Sequence, residues 1–252
     1  MKNTVIVGAL LLASSTVLAK PTPPPLKLIT QEGGEVISNF PAPDGMTGYI
    51  VDFNGRTLTV YLTPSKQYMF AGVMLDDEGV DQAQKALNEY LAGPKSEKDW
   101  QALESSNWVL DGSPDAERIV YTFTDPNCPY CKQFFKAARP WVEAGDVQLR
   151  HILVGILKAD SLAKAAAILG ADRPSEWLHL HETEAKTFNL VPNHTPTAKV
   201  NEMLENNHAV MHQLGVSATP TTFYKNHENI VVGQPGLPPR TLMEEIMGSA
   251  KD

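Results

Sequence analysis

Cysteine is almost absent from this sequence, with two residues in 252. A chain so poor in it is not a disulfide-stapled scaffold. With no second cysteine pair it also lacks the usual ligand set of a structural zinc site. An excess of basic residues is missing too. Lys and Arg total 21 against 29 Asp and Glu, a formal charge of −8, so the positive footprint that nucleic-acid binding requires is not there. The acidic surplus serves solubility. After the first apolar run, no stretch reaches the roughly 20 residues of a membrane-spanning helix. The chain shows neither a glycine-rich phosphate loop nor a Ser-His-Asp pattern. His179-x-His181 and His208-x3-His212 offer ring nitrogens without a third ligand, so no metal is expected there. Met69, Met74, Met203 and Met211 read as flexible core fillers.

What is present begins with a leader. Met1-Lys2-Asn3 gives a positive start, Thr4 to Leu18 is apolar, and Ala19 is small. That pattern predicts a secretory signal peptide over 1–19, cut after Ala19. The mature chain is then exported.

Both cysteines fall in one stretch, Phe123-Thr124-Asp125-Pro126-Asn127-Cys128-Pro129-Tyr130-Cys131-Lys132-Gln133-Phe134. Upstream, Arg118 to Thr124 is β-branched and aromatic and predicts a buried strand. Downstream, Lys132 to Val142 predicts an amphipathic helix with Phe134, Phe135, Ala138, Trp141 and Val142 near one face. Pro129 suits the first helical position, which sets Cys128 at or beside the N-cap. Its sulfur then faces unsatisfied N–H groups and the positive end of the helix dipole. Both favour the thiolate, which is the nucleophile. Cys131, one turn on, can close a disulfide and resolve a mixed one. Cys128 is therefore the candidate attacking thiol and Cys131 the candidate resolving thiol. A structural bridge is the weaker alternative, because so short a loop constrains little of the unfolded chain. Tyr130, between the cysteines, is a candidate substrate contact. Lys132 and Arg139 either favour the thiolate or line a solvated face.

Around this centre the chain divides into parts. Lys20 to Leu26 reads as a proline-rich extended arm. Strands are predicted at 35–40, 48–53, 57–62 and 68–74, with Pro43-Asp44-Gly45, Asn54-Gly55 and Thr63-Pro64-Ser65 as turns. A sheet this small needs a cover, either a helix or an identical subunit. Gln82 to Leu91 predicts a helix broken at Gly93-Pro94. Ser96 to Glu104 restarts one, with Ser96 and Asp99 as a capping box. Gly112-Ser113-Pro114 marks the entrance to a second domain. There, strands at 118–124, 147–155, 221–224 and 229–232 and helices at 132–142, 160–170, 175–186, 197–214 and 239–247 predict a four-stranded mixed sheet with a helical insertion.

That order, with Cys-x-x-Cys after the first strand, resembles the thioredoxin fold. The leader, the β-rich first part, the helical linker and the insertion are similar to the DsbC/DsbG family of periplasmic disulfide isomerases. The segments Phe123–Phe134, Ala138–Val142, Ser106–Gly112 and Gly45–Tyr49 carry the likeness. The resemblance implies an α+β or α/β architecture: a signal peptide (1–19), a cystatin-like dimerisation domain (20–80), a helical linker (81–112) and a thioredoxin-like catalytic domain (113–252). It implies a cis Thr219-Pro220 bond facing the cysteines, although the base rate for X-Pro bonds alone favours trans. It also implies that residue 219 presents backbone edges to substrate and that the Thr219 hydroxyl donates to Cys128. Pro129, Tyr130, Thr219 and Pro220 are thus the expected substrate-binding residues. Many thioredoxins carry a buried acid six residues before the first cysteine; here that position is Thr122, so Cys131 must lose its proton by another route.

The expected function is that of a periplasmic thiol–disulfide oxidoreductase, an isomerase or reductase that uses no cofactor. The resemblance implies exported protein substrates with misformed disulfides or sulfenylated cysteines, the membrane protein DsbD as electron donor, and a homodimer. The alternatives are a net dithiol oxidase and a chaperone-type binding module.

Overall fold

The computed structural model describes residues 23–184, 188, 190 and 196–249. The predicted leader and the start of the arm lie outside the described residues, as do the last two positions of the helix expected over 175–186.

The first half is an antiparallel meander in the order β1-β2-β3-β4, made of β1 (Gly34–Pro41), β2 (Thr47–Phe53), β3 (Arg56–Leu62) and β4 (Met69–Ala71). Asn54 and Gly55 turn β2 into β3 with φ of 52° and 77°, the positive values that a two-residue hairpin needs. Gly55 is required for a second reason. A Cβ there would lie 2.4 Å from the backbone nitrogen of Gly215, because the hairpin tip abuts the 213–215 corner. The arm is not extended, as the prolines suggested. Pro24 opens α1 (Pro24–Gln31), where its fixed φ and missing N–H cost nothing, and Leu26 is buried against Val51 and Val60. On the other face Ala83 and Tyr90, from the helix α2 (Gln84–Tyr90) and the residue before it, pack on Phe40, Ile50 and Tyr61. Helices therefore cover both faces of the sheet.

Gly93-Pro94 does not break the linker. A π turn over Leu91–Lys95 carries the chain into α3 (Ser96–Glu104), since a wider turn accommodates a residue that cannot donate. The capping box does not form either. Lys95 Nζ bonds both Asp99 oxygens at 2.8 Å, with Asp52 at 3.9 Å. Ser96 Oγ instead accepts the Val231 N–H at 2.8 Å.

The second half is built on a five-stranded sheet ordered β5-β7-β6-β8-β9. Its strands are β5 (Trp108–Gly112), β6 (Arg118–Thr124), β7 (Val147–Leu153), β8 (Thr221–Lys225) and β9 (Val231–Pro235). The sequence reading gave four; Trp108–Gly112, which fell in its linker, is an edge strand antiparallel to β7. Five residues are too few to show an alternation of their own. β6 runs parallel to β7 and antiparallel to β8. β9 starts later than predicted because Asn226 to Asn229 form the turn, with Asn229 at φ 63°.

Helix α4 (Pro129–Glu143) and α8 (Arg240–Met247) cover one face, burying Phe134, Ala138, Trp141 and Ile246 on Val120 and Leu149. Phe134, Ile246, Val120 and Leu149 each contribute about 1.5–3 kcal/mol. The other face carries α3 and α7 (Ala198–Gln213) over Tyr121, Phe123 and Ile152. Between β7 and β8 the chain inserts α5 (Ser161–Leu169), α6 (Pro174–Thr183) and α7, which share a core of Leu153, Ile168, Leu178 and Leu204. Arg118 ties the far end together, donating to the carbonyls of Ile246, Lys225 and Glu245 at 2.6–2.8 Å.

Candidate active site

β6 ends at Thr124 and the chain must turn sharply to start α4. Asp125 makes that turn. Its buried carboxylate accepts from the Asn127 N–H at 2.8 Å and from the Ser161 hydroxyl at 2.9 Å. It also accepts the N–H groups of Ile156 and Leu157 at 2.7 and 3.0 Å. Charge-assisted bonds of this kind are the strong ones, and here they satisfy a charge that would otherwise be prohibitive to bury. Asn127 continues the web: its amide donates to Asp160 and Ser161, and its carbonyl accepts from Lys164 at 2.8 Å. The active loop is thereby tied to the start of α5.

Cys128 is the N-cap of α4, in extended geometry (φ −81°, ψ 115°), with Pro129 at the first helical position. Its sulfur accepts the Cys131 N–H at 3.1 Å and donates to the Thr219 carbonyl at 3.3 Å. Both cysteines are free thiols. Both residues are buried, Cys128 with 5% of its surface exposed and Cys131 with 2%, so the first is the slightly more open of the two. Hydrogen bonds hold the Cys128 thiol down to about 6. The largest comes from the Cys131 thiol; Thr219 and the N–H groups of Cys131 and Tyr130 add to it against the opposing effect of burial. Burial, with the neighbouring Cys128, drives Cys131 far up. One sulfur is therefore ionised at neutral pH and the other is not.

The Thr219-Pro220 bond is cis, and the loop sits directly against the cysteines. The Thr219 hydroxyl is buried with no nitrogen or oxygen partner, which leaves the cysteine sulfurs as the groups it serves. Tyr130 is 57% exposed. Ile156, Leu157 and Leu162 are also exposed beside the Asp125 web, and Leu237 follows Gly236, whose N–H bonds the Pro220 carbonyl at 2.7 Å. These exposed apolar side chains form an apolar rim along segments bonded to the Asp125 turn and the Pro220 loop.

A protein-family model for a thioredoxin-like domain matches residues 113–251. The thiol:disulfide interchange protein DsbG of Pseudomonas aeruginosa is 39% identical over 250 residues, covering 98% of both chains. The chain belongs to the DsbC/DsbG family. The DsbG of Escherichia coli is 38% identical over 241 residues, covering 95% of this chain and 97% of its own. A periplasmic thioredoxin-like protein of Salmonella enterica superposes with a TM-score of 0.51 at 22% identity, covering 60% of this chain and 94% of that one, a likeness of fold. As a DsbC/DsbG member the protein is a thiol:disulfide oxidoreductase of the protein disulfide isomerase and reductase class. Among the described residues no helix is long and apolar enough to cross a membrane.

The structure brings Cys128, Pro129, Cys131, Thr219 and Pro220 together, with Tyr130 at the edge. It moves Arg139 away from any role at the thiolate. Arg139 pairs through both terminal nitrogens with Asp111 and stacks on Phe135, its guanidinium 3.8 Å from the ring centre. Asp111 also meets His151 Nε2 at 3.3 Å, and His151 Nδ1 meets Thr124 Oγ1 at 3.2 Å. Burial pushes the Asp111 carboxyl up, but His151 and Arg139 outweigh it and hold it near 2. Lys132 donates to the His181 carbonyl at 3.4 Å. His181, weighed from sequence only as a metal ligand, contacts the Pro126 carbonyl at 2.6 Å, and His208 Nε2 takes the Gly155 N–H at 3.5 Å. Thr122 is buried and bonded to Thr222 at 3.4 Å. Asp125 carried no role in the sequence reading. The Asp-Pro-Asn run is an Asx-turn signature that could have found its bond to residue 127; its bonds to 156, 157 and 161 had no local signal.

Proposed function

We propose that this protein works in the periplasm, with Cys128 attacking disulfides of exported proteins and Cys131 resolving the product. The carrying observation is the N-cap position of Cys128, where the Cys131 N–H reaches its sulfur at 3.1 Å. A substrate disulfide is attacked by the Cys128 thiolate, giving a mixed disulfide and a substrate thiolate. If a substrate thiolate then attacks the mixed disulfide, a new substrate disulfide forms, Cys128 leaves as the thiolate and the outcome is isomerisation. If Cys131 attacks Cys128, the outcome is reduction. Attack on a sulfenylated cysteine forms the same mixed disulfide and releases water. The Thr219 and Pro220 edge holds the substrate backbone in extended form, the Thr219 hydroxyl turns toward the thiolate, and Tyr130 with the apolar rim receives side chains of unfolded segments. The reduced state is restored by DsbD. The family likeness supports the compartment, the donor and the substrates.

The homodimer has its own support. Helices cover the meander's two faces, so the need for a cover no longer argues for it. A patch at its edge does: Leu58, Tyr68, Phe70, Val73, Leu75 and Val80 are all exposed, and β4 ends the sheet. A short edge strand with exposed aromatics is a ready surface for a second copy.

The test is capture. A Cys131→Ala variant expressed in the periplasm should accumulate mixed disulfides at Cys128. Partners with several cysteines point to isomerisation and partners with one point to sulfenate reduction. A variant that captures nothing, while Cys128 still alkylates, would refute the assignment.

A further inference from the structure

The Cys128 sulfur makes two backbone contacts that favour opposite protonation states. The Cys131 N–H, 3.1 Å away, donates to a sulfur lone pair, and such a donor is strongest toward the anion. The Thr219 carbonyl, 3.3 Å away, can only accept. That second contact is a hydrogen bond while a proton sits on the sulfur. Once the proton leaves to water, an oxygen lone pair faces a sulfur anion, and the attraction becomes a repulsion. Thr219 keeps 8% of its surface exposed. Water reaches it poorly, and stripping a donor from a buried acceptor is costly.

A substrate running past the sulfur in extended form brings a replacement, because each of its backbone N–H groups is a donor that stays protonated. We infer that a substrate N–H takes the place of the thiol proton at the Thr219 carbonyl, so that docking of an extended chain and ionisation of the nucleophile promote one another. This inference rests on the reading that the Thr219 edge receives substrate backbone. The coupling is reciprocal: the thiolate form binds the chain more tightly by the same factor by which the chain favours the thiolate. The sign distinguishes it from simple covering. Burying a thiolate under substrate makes ionisation harder, whereas a donor on the neighbouring carbonyl makes it easier. Cys128 in the free protein ionises at about 6, so the coupling operates between about pH 5 and 7. Other titratable and charged groups lie around the sulfur. Cys131 faces it from α4. Glu182 on α6 feels its charge, together with those of Lys132, Lys136 and Asp111. Asp125 is held in its turn, and Asp160 and Lys164 pair at the start of α5. The stretch 216–222 that carries the carbonyl has no charged residue.

The probe is acetyl-Thr-Val-Ser-Val-Thr-amide, which has neither a thiol nor an ionisable group, applied to the reduced protein. Calorimetry should show it binding about fivefold more tightly at about pH 7.5 than at about pH 5. With the peptide saturating, the ultraviolet absorbance of the Cys128 thiolate should titrate at lower pH, by the same factor. Cys128→Ala has no thiol proton to displace, so its binding should not change with pH; it also subtracts any contribution from the other titratable groups. Cys128→Ser keeps its proton throughout and should bind at the higher pH as weakly as the parent does at the lower. Methylating the peptide's backbone nitrogens one at a time should abolish the pH effect at one position. A thiolate titration that stays in place or moves up with peptide bound overturns the inference, and that comparison needs the parent protein alone. A peptide that binds none of the three proteins at either pH removes the Thr219 edge as the docking place of substrate backbone, and the inference with it.

Discussion

At the scale of single residues, the active site depends on which atoms face the Cys128 sulfur. An ordinary cysteine ionises near 8.5, whereas hydrogen bonding from Cys131 and Thr219 holds Cys128 to about 6. Alkylation of the reduced protein by iodoacetamide should therefore rise through pH 6 and level off by about pH 7, with Cys131 unreactive throughout. A single rise near the ordinary thiol value would contradict the geometry. Asp125 is the second decisive residue. Asp125→Ala strands four donors and loosens the loop ahead of Cys128, at a cost of about 3–5 kcal/mol in urea unfolding. A loss below about 1 kcal/mol would mean that the web does not hold the loop. The cysteines were legible in the sequence because their chemistry is local: strand, proline and spacing lie within a dozen residues. Asp125 and His181 were not, because Ile156, Leu157 and Ser161 on the one hand and Pro126 on the other lie 30 residues or more from them along the chain.

At the scale of elements, β5, α4 and β7 are joined under the site by Asp111, Arg139 and His151. The Asp111 carboxyl sits near 2 in the fold, against about 3.9 in an unfolded chain. Its folded pKa is the lower one, so its contribution is complete above pH 4 and is lost as pH falls through 2. Two units correspond to about 2–3 kcal/mol. Asp111→Asn should be less stable than the parent at pH 6 by at least that amount, and the gap should narrow progressively below pH 4. A gap independent of pH would show that the paired charge contributes nothing. Helix existence was legible almost throughout from apolar periodicity. Edge strand β5 was hidden because it is short and its partner β7 comes 40 residues later. The Gly93-Pro94 turn was misread as a break because neighbouring turns on both sides are helical, and a π turn absorbs the missing donor.

At the scale of the whole molecule, the meander and the thioredoxin-like half meet where Gly55 abuts the Gly215 backbone and where Ser96 holds Val231. The apolar edge around β4 remains open. Two copies meeting there would set two Cys128 sites in one assembly. Phe70→Asp should convert a dimer to a monomer by light scattering at micromolar concentration, leaving the thermal unfolding of the thioredoxin-like half unchanged. A parent that is already monomeric would remove the homodimer from the account. The order of elements was readable from the sequence, but the cover on each face of the meander was not, since α1 lies in a run of prolines that reads as extended.

The most direct test is to treat reduced protein with less than one equivalent of iodoacetamide near neutral pH and map the label by mass spectrometry. The label is expected on Cys128 alone. Label on Cys131, or shared equally between the two, would contradict the helix-capped thiolate from which the mechanism proceeds.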